Sequence, residues 1–360
     1  MIPVICFYKD QWLWSENYLR LEKPSLQSTE DFLLNIEKNY FDQIKILQVD
    51  FDAFNLLTRK HSVDKIKYYE SPGSLVYILN DHNLLDPNQG LTKITEIAAD
   101  VPNFNILTTS ENFCKKVQSL IQEINQGRFY QVNLTAAFSA PSNSKSLGHF
   151  KNYVNSFQPT YPAYLPGENF SILSLSPELF LQKQDSQLIS RPIKGTSAIG
   201  YTDLINNPKE AAELSMIVDL LRNDLNSVST GPATVNAHRK HLQLPYTSHT
   251  FSEVQVATDQ TLPMILKKTM PGGSISGCPK VESLKAISEY ENYERQFYTG
   301  TIGWWQQNDF ELNIAIRSFV ATHENLFYFA GCGIVSESDP EAEWNELLNK
   351  ASKLKLSHTK

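Results

Sequence analysis

Cysteine is scarce in this chain. Cys6, Cys114, Cys278 and Cys332 are the four in 360 residues, and no two have the spacing of a zinc site or a disulfide frame. No apolar run approaches the ~18–20 residues of a membrane-spanning helix. The start, Met1-Ile2-Pro3-Val4-Ile5-Cys6-Phe7, lacks a positive n-region and meets Lys9-Asp10 too early for a secretory leader. Positive charge is not in excess either. The formal net charge is -7 and no basic run exceeds His238-Arg239-Lys240-His241, which argues against nucleic acid or a membrane surface as partner. A phosphate-binding P-loop is missing too, because Cys278 stands where that motif needs lysine after Gly272 and Gly277. Together these absences predict a soluble cytoplasmic protein.

What is present is organised around Arg191-Pro192-Ile193-Lys194-Gly195-Thr196. Pro192 fixes one backbone angle and removes a donor, while Gly195 frees the backbone beside it. One lysine is thereby held on a stiff segment after the strand-like Leu188-Ile189. An unperturbed lysine is an inert ammonium at neutral pH; partial burial or a nearby base makes it a nucleophile. Upstream, Ser176-Pro177-Glu178 closes a strand expected over 172–175 and offers a carboxyl at a strand end. Gln131 and Asn133 share a face of a strand expected over 128–135.

Carboxylates recur in two spaced pairs. Pro208 starts a helix expected to run to about Leu221 and to end at Arg222-Asn223-Asp224. Leu214, Ile217, Val218 and Leu221 form its core stripe, Glu210 falls inside that stripe and Glu213 at its edge. After Ser338-Asp339-Pro340, Glu343 and Glu346 are again three apart, and Glu346 to Lys350 reads as an i,i+4 pair. Two such helices could be solvated faces, or could face each other across a hard cation such as magnesium, which prefers few carboxylates and retained waters. Between them the glycine-rich stretch 271–280 has backbone donors suited to an anion, or is a structural turn. Gly331-Cys332-Gly333 is a second place where backbone can approach a ligand, and Arg317 has the planar fork that grips a carboxylate.

Residues 1–100 read as a mixed N-terminal lobe packing on the core, with strands at 3–8, 44–51 and 74–79 and a helix at 29–38 capped by Ser28 or Thr29. Residues 101–358 carry the chemistry, beginning with a helix at 111–125 that Gly127 ends. The segment 141–147 reads as a loop.

Taken in order, Tyr130-Gln131-Val132-Asn133-Leu134, Leu175-Ser176-Pro177-Glu178, Pro192-Ile193-Lys194-Gly195-Thr196, 216–225 (MIVDLLRNDL), 271–280, 313–317 and 331–335 resemble the chorismate-utilising enzymes. The resemblance covers roughly residues 105–355. It implies an α+β fold, two large mostly antiparallel sheets with outer helices, like the large subunit of anthranilate synthase. Lysine before Gly195, where anthranilate, isochorismate and salicylate synthases typically carry alanine, looks like the aminodeoxychorismate synthase component I. The activity so implied is the conversion of chorismate and ammonia to 4-amino-4-deoxychorismate, on the way to 4-aminobenzoate and folate.

The resemblance also implies roles. Lys194 would attack ring carbon C2, Glu178 would protonate the departing hydroxyl, and His249 would orient it. Tyr298 and Arg317 would hold the enolpyruvyl carboxylate with backbone at Gly277 and Gly333, and Thr196 and Ser274 are further contacts. Glu213 and Glu346, with Glu210 and Glu343 behind, would hold magnesium. No Gly-x-Cys-x-Gly nucleophile turn surrounds any cysteine, so a separate glutamine amidotransferase subunit is expected to supply ammonia. Cys278 and Cys332 replace the family's usual alanine and glycine and are expected to border the ligand. The usual tryptophan-binding motif is not recognisable. Anthranilate or isochorismate formation, or a non-catalytic chorismate-binding or amidotransferase-docking subunit, stay open as alternatives.

Overall fold

A computed structural model describes residues 2–25, 27–54, 65–86, 99–142, 145–198, 208–243 and 247–357; for 195–198, 208–210, 242–243 and 247–248 it describes backbone alone. The described chain forms two large sheets, antiparallel throughout except for the short pairing of Lys355–Leu356 with Asn103–Ile106. The class is α+β, as the motifs imply.

One sheet runs from Lys355–Leu356 and Asn103–Ile106 through Gln131–Pro141, Asn325–Ile334, Phe319–Thr322, Phe170–Ser176 and Tyr161–Leu165 to Val4–Tyr8, Gln11–Ser15 and Asn83–Leu85. The other runs from Ile193–Ala198 through Thr247–Ala257, Gln187–Arg191, Leu179–Gln184, Asp309–Ile314, Thr301–Gln306 and Lys45–Val49 to Ser74–Leu79 and Tyr18–Glu22. One apolar core joins them, with Ile5, Phe138 and Leu173 from the first and Leu47, Leu181 and Leu312 from the second. Ser74–Leu79 is buried at every position, which is why SLVYIL reads as one apolar run without alternation.

The described part of the first hundred residues supplies three strands to each sheet. Three of those strands, Gln11–Ser15, Tyr18–Glu22 and Asn83–Leu85, lie outside the expected set.

Two local features place the chemistry. Gln187–Arg191 and Ile193–Ala198 both pair with Thr247–Ala257, the first with its residues 254–257 and the second with 247–251. They are one long strand interrupted at Pro192, which has no N–H to give the ladder but accepts from Ser252 N at 3.2 Å. The register shifts between Lys194 and Thr196, so Gly195 is the extra residue of a bulge. The helix Pro208–Asn226 buries Leu214, Ile217, Val218 and Leu221 as its stripe predicts. It continues past Asp224, because that carboxylate is buried and takes the Lys280 ammonium at 2.7 Å instead of capping the chain.

Candidate functional site

A cavity of about 860 Å³ opens between the two sheets and the helices Pro208–Asn226 and Pro340–Lys350. Its size suits a small organic ligand. Glu178, Lys194, His249 and Glu213 contribute to its wall. So do Ser274, Tyr298, Arg317, Gly333, Glu343 and Glu346, so segments up to 168 residues apart in sequence meet at one place. The side chains of Thr196 and Glu210 lie outside the described residues. Gly277 is not in the wall. Its φ is 135°, and a Cβ there would lie 2.1 Å from Gln131 O, so this glycine serves the close pairing of Gly277–Cys278 with the strand Gln131–Pro141.

Lys194 is mostly buried and its Nζ donates to Glu213 Oε1 at 2.6 Å. Thr250 Oγ1 donates to the Lys194 carbonyl at 2.8 Å and fixes the backbone beneath it. Burial by itself would lower the amine's pKa. The Glu213 carboxylate, helped by Glu178 and Glu346, outweighs burial and holds the amine above its ordinary value. Of the two routes to a nucleophile, burial and a neighbouring base, this structure has the base. At rest Lys194 is an ammonium.

Glu178 is buried behind Pro177, its N–H donating to Ser176 Oγ at 3.2 Å and its carbonyl accepting from Ile314 N at 3.1 Å. Its Oε1 is buried and has no hydrogen-bond partner among the described residues. Burial pushes its pKa up to about 7, against the opposing pull of Lys194, the Ile193 N–H and Arg317. A carboxyl so placed holds a proton near neutral pH and can give it to a ligand atom. His249 is buried beside it in the wall, with its backbone opposite Thr196.

The acidic helix across the cavity presents Glu343 and Glu346. Glu343 is buried and accepts from Ser338 Oγ at 2.7 Å. Glu346 pairs with Lys350 at 2.7 Å, and that lysine also donates to Gly331 O at 2.7 Å. No three His, Cys, Asp or Glu side chains among the described residues are gathered tightly enough to make a ready metal cage. Glu213, Glu343 and Glu346 nonetheless bring carboxylates to the cavity from two helices. That set fits magnesium, which takes one or two carboxylates, retained waters and an oxygen of an anionic substrate.

Another part of the wall suits an anion. Arg317, at φ 49° in the turn after Asp309–Ile314, makes no hydrogen bond or ion pair with any described residue. The Tyr298 ring stacks on Phe329 at 5.1 Å, and burial raises its pKa, so it stays a neutral donor. Gly331 and Gly333 keep this wall thin. A Cβ on Gly333 would lie 2.5 Å from Gln131 Nε2 and 3.2 Å from Glu213 Oε1. Cys332 between them points the other way, its Sγ toward Glu343 O, because strand residues alternate faces. Neither it nor Cys278 is in the cavity wall, contrary to the expectation that both border the ligand.

Sequence reasoning did not single out Lys350 as a cavity residue, although its i,i+4 spacing from Glu346 was the available signal. It missed Arg295 altogether. That guanidinium is buried and bonded to Glu291, and nothing local in Tyr293-Glu294-Arg295 marks it.

The sequence matches the family described as chorismate binding enzyme over residues 55–355. The chain belongs to that family. Across 256 residues it is 36% identical to aminodeoxychorismate synthase component 1 of Bacillus subtilis (strain 168), covering 68% of this chain and 54% of that protein. Across 276 residues it is 32% identical to anthranilate synthase component 1 of Aquifex aeolicus (strain VF5), covering 72% and 56%. The matched stretch thus spans little more than half the length of these relatives. Anthranilate synthase component I from Streptococcus pneumoniae TIGR4 shares the fold with a TM-score of 0.79 at 23% identity, over 98% of this chain and 89% of that one. The menaquinone-specific isochorismate synthase of Escherichia coli does so with a TM-score of 0.70 at 19% identity, over 97% and 87%. No helix among the described residues of this chorismate binding enzyme is long and apolar enough to cross a membrane.

Proposed function

We propose that the protein is an aminodeoxychorismate synthase component I, which replaces the C4 hydroxyl of chorismate with an amino group. The observation that carries this reading is Lys194: an amine in the cavity wall, with a buried, protonatable Glu178 in the same wall. A residue without a nucleophile at this position would leave water or ammonia to react directly.

Arg317 and Tyr298 bind the enolpyruvyl carboxylate by charge and hydrogen bonding. His249 orients the C4 hydroxyl, and Ser274 closes the wall beside the ring. The Lys194 ammonium gives a proton to Glu213, the base it already touches. The neutral amine then forms a bond to C2 as the ring double bonds shift and the C4–O bond breaks. The hydroxyl takes the Glu178 proton and leaves as water. Ammonia forms the C4–N bond as the C2–N bond breaks, which frees the lysine as a neutral amine that takes its proton back from Glu213, and the surplus proton of the new ammonium restores Glu178. Each turnover consumes chorismate and ammonia and gives aminodeoxychorismate and water.

Glu343 and Glu346, with Glu213 on the facing helix, would hold magnesium. When bound, that ion neutralises the ring carboxylate and draws electron density from the ring. Ammonia would come from a glutamine amidotransferase subunit, a partner consistent with the name component 1 that the relatives carry and with four cysteines that form no glutaminase turn.

The test is to incubate purified protein with chorismate, magnesium and concentrated ammonium salt and to identify the product by mass and chromatography. Aminodeoxychorismate supports the reading. Anthranilate or isochorismate replaces it with a sister activity, and unchanged chorismate leaves a binding subunit.

A further inference from the structure

Behind the cavity wall, and not part of it, lies a buried ion pair that the mechanism above does not use. Arg295 and Glu291 are 4% and 2% exposed and meet at 2.7 Å. All five N–H groups of the guanidinium find acceptors. Nε and one Nη2 hydrogen go to the two Glu291 oxygens, at 2.8 and 2.7 Å. The other Nη2 hydrogen goes to Asn133 O at 2.8 Å, and Nη1 bonds Ile275 O at 2.8 Å and Thr299 Oγ1 at 3.3 Å. Its face lies 4.7 Å from the Phe51 ring. Glu291 in turn accepts from Thr135 N at 3.0 Å and Thr135 Oγ1 at 2.7 Å.

The acceptors are informative. Asn133, Ile275 and Thr299 are themselves wall residues, and two of them adjoin Ser274 and Tyr298. They come from a strand, a four-residue helix and a turn that share no ladder with one another apart from this guanidinium and the short Gly277–Cys278 pairing. A planar fork with fixed donor directions sets the spacing of three such segments in a way a flexible ammonium cannot. Isolated for stability alone, a buried ion pair is a poor investment, since apolar residues of equal volume do as well.

We infer that Arg295, locked by Glu291, is a positioning residue that sets the distance between the Asn133, Ser274–Ile275 and Tyr298–Thr299 segments of the chorismate-binding wall. It touches no ligand and acts through the backbone of residues that do. The inference rests on chorismate being the ligand, but not on which product forms.

The experiment is calorimetric titration of chorismate into wild type, Arg295→Lys and the paired variant Glu291→Gln/Arg295→Met, with thermal unfolding of each. Arg295→Lys keeps the charge beside Glu291 and loses the fork. The paired variant removes both charges, leaving no unpaired charge in the core. The expected result is a chorismate Kd raised about 10- to 100-fold in whichever variant folds, the cost of displacing positioning groups by about an ångström. In turnover assays the KM for chorismate rises by the same factor while the KM for ammonium stays within about twofold. A folded variant with wild-type chorismate affinity overturns the inference. Failure of both variants to fold also overturns it, making the pair a stability element. If wild type binds chorismate but forms no aminated product, the amination reading fails and this inference is still tested by affinity.

Discussion

Lys194 Nζ and Glu213 Oε1 lie 2.6 Å apart, and Gln131 Nε2 donates to the same carboxylate oxygen from 3.3 Å. The amine proposed to attack is therefore stored as half of an ion pair, with its counter-ion tethered to a neighbouring strand. Nucleophilicity has to be released, and the conditions that release it are measurable.

Replacing Lys194 with alanine should lower aminodeoxychorismate formation at least about 100-fold, the scale of losing one positioned reacting group. In wild type the neutral fraction of the amine grows as pH rises, so kcat/KM should climb on the acid side of its optimum. The same pair supports the fold with a definite sign. Because the folded-state pKa of Lys194 is raised, its contribution is complete below the unfolded value near ~10.4 and is lost as pH rises through the folded value. Rate profiles and urea titrations between pH 6 and 11 check both; a flat rate profile would remove the ion pair from the mechanism.

Glu178 acts on the rate in the opposite sense, but on stability in the same sense and in a lower pH window. Its folded pKa, about 7, lies above that of the unfolded chain, so the folded state holds the extra proton between about pH 4.5 and 7. Stability from this group falls as pH rises across that window and is flat above it, a cost of up to roughly 3 kcal/mol at 1.36 kcal/mol per unit. Glu178→Gln should therefore be more stable than wild type at pH 8, with the gain shrinking toward pH 5, and nearly inactive at both. Together with Lys194 this predicts a bell-shaped rate profile whose alkaline limb disappears if a small acid replaces the carboxyl's role. Equal stability differences at pH 5 and pH 8 would contradict the assignment.

Gly333→Ala is a sharper probe than it looks. The added methyl would lie 2.5 Å from Gln131 Nε2 and 3.2 Å from Glu213 Oε1, so the amide and then the carboxylate must move. Activity should fall tenfold or more, about 1.4 kcal/mol in the barrier, with only a small change in melting temperature because the strand itself persists. Wild-type turnover in this variant would mean that Gln131 and Glu213 need not hold their places.

Removing divalent cations with a chelator should abolish turnover, and magnesium should restore it. Glu346→Gln should raise the magnesium concentration needed for half-maximal activity, since Glu346 faces the cavity from Pro340–Lys350. Its partner Lys350 complicates the simple expectation, because freeing that ammonium places an extra positive charge near the ligand. Comparison with Glu346→Gln/Lys350→Met separates the two effects.

The segments that meet at the cavity were more legible in the sequence than the scaffold around them. Pro192 and Gly195 marked a stiff, bulged segment, and Pro177 marked Glu178, because proline and glycine act through local backbone geometry. The stripe of Leu214, Ile217, Val218 and Leu221 was readable because its period is local as well. The hairpin of Val4–Tyr8 and Gln11–Ser15 was not. Its two-residue turn, Lys9-Asp10, takes φ of 45° and 63° without the Asn-Gly or Asp-Gly that usually announces such a turn. The helix Ser146–Phe157 was hidden behind a polar stretch read as a loop, and its N-cap, Lys145, makes no side-chain capping bond. Arg317 was expected to end a strand over 313–317, whereas the strand stops at Ile314 and the arginine sits in the turn beyond. Arg295 could not be found from sequence, since its partners at 133, 275 and 299 are neighbours only after folding.

The break at Pro192 has a mechanical corollary. Both pieces of that interrupted strand are zipped to consecutive stretches of a single neighbour, so the backbone carrying the amine cannot pivot as a loop would. Its travel is limited to the four methylenes of the side chain. In the proposed mechanism the ring is therefore delivered to the lysine, and an adduct formed there would stay moored until a second nucleophile cuts it loose.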